Sequence, residues 1–133
     1  MFETVVIATD GSTSAARAVD AALDLARRFD AEVHVLSVLD ERASAHEAEV
    51  RDALAALRED ADYPVRTVVK RGEAAETIRD YAASVDADLI ATGTRGRDSP
   101  FSYHLGSVAE AIVHDSPVPV LTVRQVTDSG DGT

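Results

Sequence analysis

Cysteine is absent from the 133-residue chain. Disulfides, thiolate nucleophiles and Cys-ligated metals are therefore excluded. Lysine is almost absent: Lys70 is the only one, and the other basic residues are arginines. Positive charge is scarce altogether, with 13 Lys and Arg against 24 Asp and Glu and a formal net charge of −11. Such a chain is not a general nucleic-acid binder, because capture of a polyanion needs a basic face. The same deficit argues against anionic membranes. No apolar stretch approaches the ~18 residues of a membrane span. The segment Met1–Asp10 has no basic start and only a short apolar run, so no targeting segment is expected and the expected location is cytoplasmic.

What is present fits one ordinary globular domain. The hydrophobic fraction is 45% and the charged fraction 28%, enough apolar residue for a normal core. The acidic, lysine-poor balance suits a salt-rich cytoplasm, where carboxylates hold water and cations and salt screens their repulsion. It points to a halophilic source, with a GC-rich genome as the other reading, since GC-rich codons favour Ala, Arg and Asp over Lys.

Apolar periodicity switches repeatedly between strand and helix. Thr4–Thr9 is a short β-branched run of the kind buried on both faces of a sheet. Thr13–Phe29 carries Ala15, Val19, Ala22, Leu23 and Ala26 at helical spacing. Strands are expected at Glu32–Leu39, Val65–Lys70, Asp88–Gly93 and Val118–Val123. Helices are expected at Ala45–Asp60, Glu73–Val85 and Gly106–Asp115. The polar stretch Gln125–Thr133 reads as a disordered acidic tail.

Four strand–helix alternations imply an α/β fold: a single-domain, open, five-stranded parallel sheet with helices on both faces. Pro119 places the fifth strand at an edge, because proline donates no ladder bond. Arg66 and Lys70 suit the third strand to the other edge. The order 3-2-1-4-5 satisfies both. The order 2-1-3-4-5 would bury the charges of the third strand at the centre.

In such sheets ligands bind beyond the carboxyl ends of the strands, where the strand order reverses. That point lies between strands one and four. The loops there read Thr9-Asp10-Gly11-Ser12 and Gly93-Thr94-Arg95-Gly96-Arg97. Glycine permits close backbone approach to a ligand. A helix opening at Gly106-Ser107, followed by Val108, aims free N–H groups and a positive dipole end at the cleft. That is an anion site, phosphate being the obvious anion, with Arg95 and Arg97 adding positive charge. Ser107 has a second reading as a capping box with Glu110. Asp10 reads as a helix cap, a ribose hydroxyl acceptor or a magnesium partner.

The spacing Gly93-x2-Gly96-x9-Gly106-Ser107 resembles the G-x2-G-x9-G-[ST] signature of the ATP-binding universal stress proteins. The resemblance covers residues 2 to about 124 and includes VVIATDGS, HVLSVLD and GSVAEAIVHDSPVPVLTV. It implies a 1–124 universal stress protein domain with a Rossmann-like, adenine nucleotide alpha hydrolase-like sheet. It implies ATP as the ligand, with Mg2+ or Mn2+, and dimerisation through the fifth strand. By resemblance, Asp10 sits near the ribose and phosphates and the Val38 backbone meets the adenine. Gly93 and Gly96 line the phosphate loop, Gly106 and Ser107 bind phosphate, and Ala8 and Thr9 flank the pocket. One departure stands out: the nine-residue spacer RDSPFSYHL carries Asp98 and Pro100, where relatives are small and glycine-containing.

Other chemistries fit poorly. A receiver domain needs an aspartate after strand three, where this chain has Lys70-Arg71-Gly72. Neither G-x-G-x-x-G after strand one nor a Walker A lysine is present. His34, His46, His104 and His114 lack metal-ligand spacing; His34 reads as a strand residue and His114 as a helix C-terminal residue. No general base is evident beside a γ-phosphate, so the expectation is a non-enzymatic regulatory or sensing module with at most slow hydrolysis. The alternative is a nucleotide-free dimeric interaction protein of the same fold.

Overall fold

The computed structural model describes residues 3–9, 16–39, 46–93, 105–116 and 118–123. Strands β1 (Thr4–Ala8), β2 (Glu32–Leu39), β3 (Val65–Arg71), β4 (Leu89–Gly93) and β5 (Val120–Val123) alternate with four helices. The helices are α1 (Ala16–Phe29), α2 (Glu47–Asp60), α3 (Ala74–Ser84) and α4 (Leu105–Asp115). All four strand pairings are parallel. The strand order is β3-β2-β1-β4-β5, as the charges of β3 and the proline near β5 imply.

Strand alternation divides the interior into two layers. Val5 and Ile7 of β1, Val33, Val35 and Leu39 of β2 and Ala91 of β4 face α1 and α2, meeting Val19, Leu23, Val50 and Leu54. Val6 and Ala8, Leu36 and Val38, and Ile90 face the other way, onto Ile78 and Ala82 of α3 and Ile112 of α4. Central strands are apolar on both faces because helices cover both. The stripe expected in the first helix is buried at Val19, Ala22, Leu23 and Ala26.

Helices α1 and α3 end alike. Asp30 and Asp86 adopt φ 55. Behind them, the N–H groups of Ala31 and Ala87 donate to Ala26 and Ala82, while those of Asp30 and Asp86 donate to Arg27 and Ala83. This is the Schellman closure, with aspartate in the left-handed position that glycine usually takes. The buried Ala31 and Ala87 then start the chain into β2 and β4. Glycine is required once among these turns: Gly72, between β3 and α3, has φ 143, and a Cβ there would meet Thr77 Oγ1 at 2.8 Å.

Several boundaries differ from the sequence expectation by one or two residues. β5 begins at Val120 rather than Val118. Pro119 has no N–H to offer the ladder, yet its carbonyl accepts from Ile90 N–H at 3.1 Å. Val118 is instead held by Ser116, whose Oγ accepts from Val118 N–H at 3.1 Å. α4 begins at Leu105, one residue ahead of the expected Gly106, which makes Ser107 the third helical residue. Lys70 is followed by Arg71 as the last residue of β3. The expected helix starts at Thr13 and Ala45, and the tail, lie outside the described residues.

At the amino ends of the strands, the Asp88 carboxylate accepts from the Glu3 and Thr4 N–H groups at 2.8 and 3.0 Å. Those two bonds, Glu3 first, hold its pKa below 3.8 against the opposing effect of desolvation. A depressed carboxyl stabilises the fold above its unfolded pKa and stops doing so as pH falls through the folded one. Asp88→Ala is therefore expected to lower the urea midpoint at pH 7 and to bring it closer to the parent's as pH drops below the ordinary carboxylate range. An equal difference at every pH would contradict this.

Candidate functional site

The site is built from strands of unequal length. The last β1–β2 pair is Ala8↔Leu36 and the last β1–β4 pair is Ala8↔Thr92. β2 continues to Leu39 and β4 to Gly93, so both outrun β1 at its carboxyl end. Thr9 N–H donates to Leu36 C=O at 3.0 Å, so the even residues of β2 turn their backbone groups toward β1. Val38 lies on that side, beyond the last pair. Ile90 N–H donates to Pro119, so by the same alternation Ala91 and Gly93 face β1. The backbones of Val38 and Gly93 thus flank the end of β1 from opposite sides, roughly 10 Å apart, two inter-strand spacings.

The lining changes chemistry at this end. The buried polar residues of the described core are Thr9, His34, Ser37 and Thr92, and all but His34 lie at the carboxyl ends of β1, β2 and β4. Ser37 Oγ donates to Thr9 C=O at 2.7 Å, which fixes where β1 leaves the sheet. Sequence reading did not single out Ser37 or Thr92. The available signal was a hydroxyl residue interrupting each apolar run near its end. Ser37→Ala removes this buried hydrogen bond, so a loss of about 0.5–1.5 kcal/mol in urea unfolding is expected. A change indistinguishable from zero would contradict a role for that bond in the fold.

Ala8, Thr9 and Val38 are buried at this end of the sheet, and Gly93 closes β4. Gly106, Ser107 and Val108 occupy the first turn and start of the second in α4. The first helical N–H groups lack intrahelical acceptors, so this turn offers donors to an anion. Asp10, Thr94, Arg95, Gly96 and Arg97 lie outside the described residues, as do Asp98 and Pro100. Among the described residues no three His, Cys, Asp or Glu side chains converge as a metal cage.

His34 belongs to a structural network, as its strand position implied. It is 5% exposed. Its Nε2 lies 2.8 Å from Glu32 Oε2 and its Nδ1 lies 2.7 Å from Tyr81 Oη. A carboxylate only accepts, so Nε2 donates to Glu32. Burial, with Glu32 adding to it, raises the Tyr81 pKa against the pull of Arg66 and keeps the phenol protonated. His114 lies in the last turn of α4.

This arrangement has close counterparts. The family model described as the universal stress protein family matches residues 1–124. A universal stress protein of Thermus aquaticus is 33% identical, covering 93% of this chain and 100% of that one. One of Methanocaldococcus jannaschii is 29% identical, covering 94% and 84%. A universal stress protein solved in complex with cAMP superposes with a TM-score of 0.72 at 28% identity, covering 92% of this chain and 97% of that one. UspA from Lactobacillus plantarum superposes at 0.75 with 25% identity, covering 92% and 98%. With the sheet order, the shortened central strand and these matches in agreement, the chain belongs to the universal stress protein family.

Proposed function

We propose that this chain binds an adenine nucleotide, ATP, in the cleft beyond β1 and β4 and acts as a regulatory or sensing module of a stress response. The observation that carries the reading is the short β1, past whose last pairings the Val38 and Gly93 backbones turn toward its end from either side. The base takes its place against Val38, and the phosphates lie along Gly93, Thr94, Arg95, Gly96 and Arg97 and on the first turn of α4 at Gly106, Ser107 and Val108. A relative at 28% identity is named as a cAMP complex, which supports an adenine ring in this fold.

A divalent cation, Mg2+ or Mn2+, arrives with the phosphates. The described residues supply no cage for it. Mg2+ is commonly held by one or two carboxylates together with substrate phosphates, and Asp10 is the carboxylate at hand. The protein is not an enzyme on this reading, because no side chain is assigned as a base beside the γ-phosphate. The domain is residues 1–124.

The location is cytoplasmic, and the charge of −11 fits a halophilic, salt-rich interior. A homodimer forms through β5, the edge strand of Val120–Val123, whose sequence VLTV bears no charge to oppose its own copy. The alternative, a dimeric interaction module without nucleotide, draws on Asp98 and Pro100 in the phosphate loop.

Isothermal calorimetry of nucleotide-free protein with Mg-ATP, in molar KCl and in dilute buffer, tests the reading. Saturable heat is expected, with tighter binding in KCl because salt screens the carboxylates. Absence of heat and of thermal stabilisation at millimolar ATP in both buffers would reject it.

A further inference from the structure

The two edges of the sheet are unlike. β5 is uncharged, whereas β3 reads VRTVVKR, with three cations and no carboxylate in a chain of net charge −11. Among the described residues no strand pairs with the outer side of β3. Gly72 N–H donates to Leu39 C=O at 3.1 Å, so Gly72, Lys70, Val68 and Arg66 turn their backbone groups inward to β2. By alternation, Val65, Thr67, Val69 and Arg71 present theirs outward. That is a row of donors and acceptors suited to one more strand.

Two recesses adjoin this row. One, about 390 Å³, is lined by Leu54, Ala55, Thr67 and Val69 with Arg51, Arg58 and Glu59. The other, about 690 Å³, is lined by Tyr63, Val65 and Arg66 together with the carboxylates Asp30 and Glu32. Arg58 lines both. Arg51 and Arg71 are engaged by Glu47, and Arg66 is 3.9 Å from Glu32. Arg58 has no ion pair among the described residues; its place in the last turn of α2 suits the helix dipole.

We propose that the β3 edge is a docking site for an extended acidic segment of a partner protein, added as a sixth strand. Its backbone pairs with Val65, Thr67, Val69 and Arg71. Aliphatic side chains on one face settle over Leu54 and Val69, and carboxylates on the other meet Arg66 and Lys70. Arg58 attracts acidic residues at the rim. Charge selects the occupant: a second copy pairing through β3 would set Arg66, Lys70 and Arg71 against themselves, which disfavours self-association there. Strand addition of this kind takes its affinity from main-chain bonds and its choice of partner from alternate side chains.

The probe is a fluorescein-labelled peptide of alternating valine and glutamate, followed by anisotropy. Saturable binding is expected, with no binding of the valine–lysine analogue. Arg58→Glu with Arg66→Glu is expected to weaken it roughly tenfold or more. Thr67→Pro removes an outward N–H and leaves the β2 side intact, a substitution edge strands tolerate; it is expected to abolish binding while circular dichroism stays unchanged. If that variant does not fold, a peptide N-methylated at alternate residues takes its place on the unmodified protein and is expected not to bind. Binding that survives Thr67→Pro or N-methylation is charge attraction without strand pairing and overturns the proposal. So does equal affinity in the charge-reversed variant. None of these changes touches the nucleotide cleft.

Discussion

Gly106→Asp is expected to leave the chain folded and to remove ATP binding. Gly106 is the second residue of α4, where backbone N–H groups have no intrahelical acceptor. A carboxylate in a first turn favours the helix by about 0.3–1 kcal/mol, so the substitution does not harm the fold. The same carboxylate fills the position proposed for phosphate and repels it. A loss of affinity of roughly a hundredfold, about 2.7 kcal/mol, is expected by calorimetry. The melting temperature without nucleotide is expected to hold or rise. Gly106→Ala separates size from charge: it adds a methyl group and no charge, and is expected to cost less. Unchanged affinity in Gly106→Asp would place the phosphates elsewhere and remove the basis for the proposed cleft.

The largest stability effect is expected at Ile90. It lies in β4, between β1 and β5, with no exposed surface. Its side chain belongs to the layer formed with Val6, Leu36, Ile78 and Ile112. Ile90→Ala deletes buried methyl groups in a layer backed by rigid strands that cannot close the cavity. A loss of about 2–5 kcal/mol is expected, against a total of about 5–15 for a domain of this kind. Urea unfolding with an unchanged slope checks it. Val113, on α4 and 53% exposed, is the control, and Val113→Ala is expected to change stability by less than about 0.5 kcal/mol. Comparable losses at both positions would contradict burial as the source of the Ile90 effect.

Much of the fold was legible because each strand signalled its own environment. TVVIA, EVHVLSVL and LIATG are apolar at nearly every position, and a strand covered on both faces must be. VRTVVKR carries charge at alternate and terminal positions, and only an edge leaves room for it. Helix boundaries were less legible. Leu105 joins α4 ahead of Gly106 because a helix start depends on which residue's carbonyl closes the first turn, and a glycine–serine pair does not mark that uniquely. The apolar run begins at Val118, two residues ahead of β5, and the proline between them accepts a ladder bond while donating none.

Composition and periodicity alone determined the class of fold and the strand order, and set the expectation of a ligand at the carboxyl end of the sheet. Those properties follow from short-range patterns. Tertiary structure decided how far each strand runs. Only the pairing register shows that β1 stops at Ala8 while β2 and β4 go on, with Val38 and Gly93 on either side of its end. Ser37 gained its role the same way, since its partner, the Thr9 carbonyl, is 28 residues away. The outward row on β3 likewise depends on which residues pair with β2. Register is a relation between segments distant in sequence, and no local pattern encodes it.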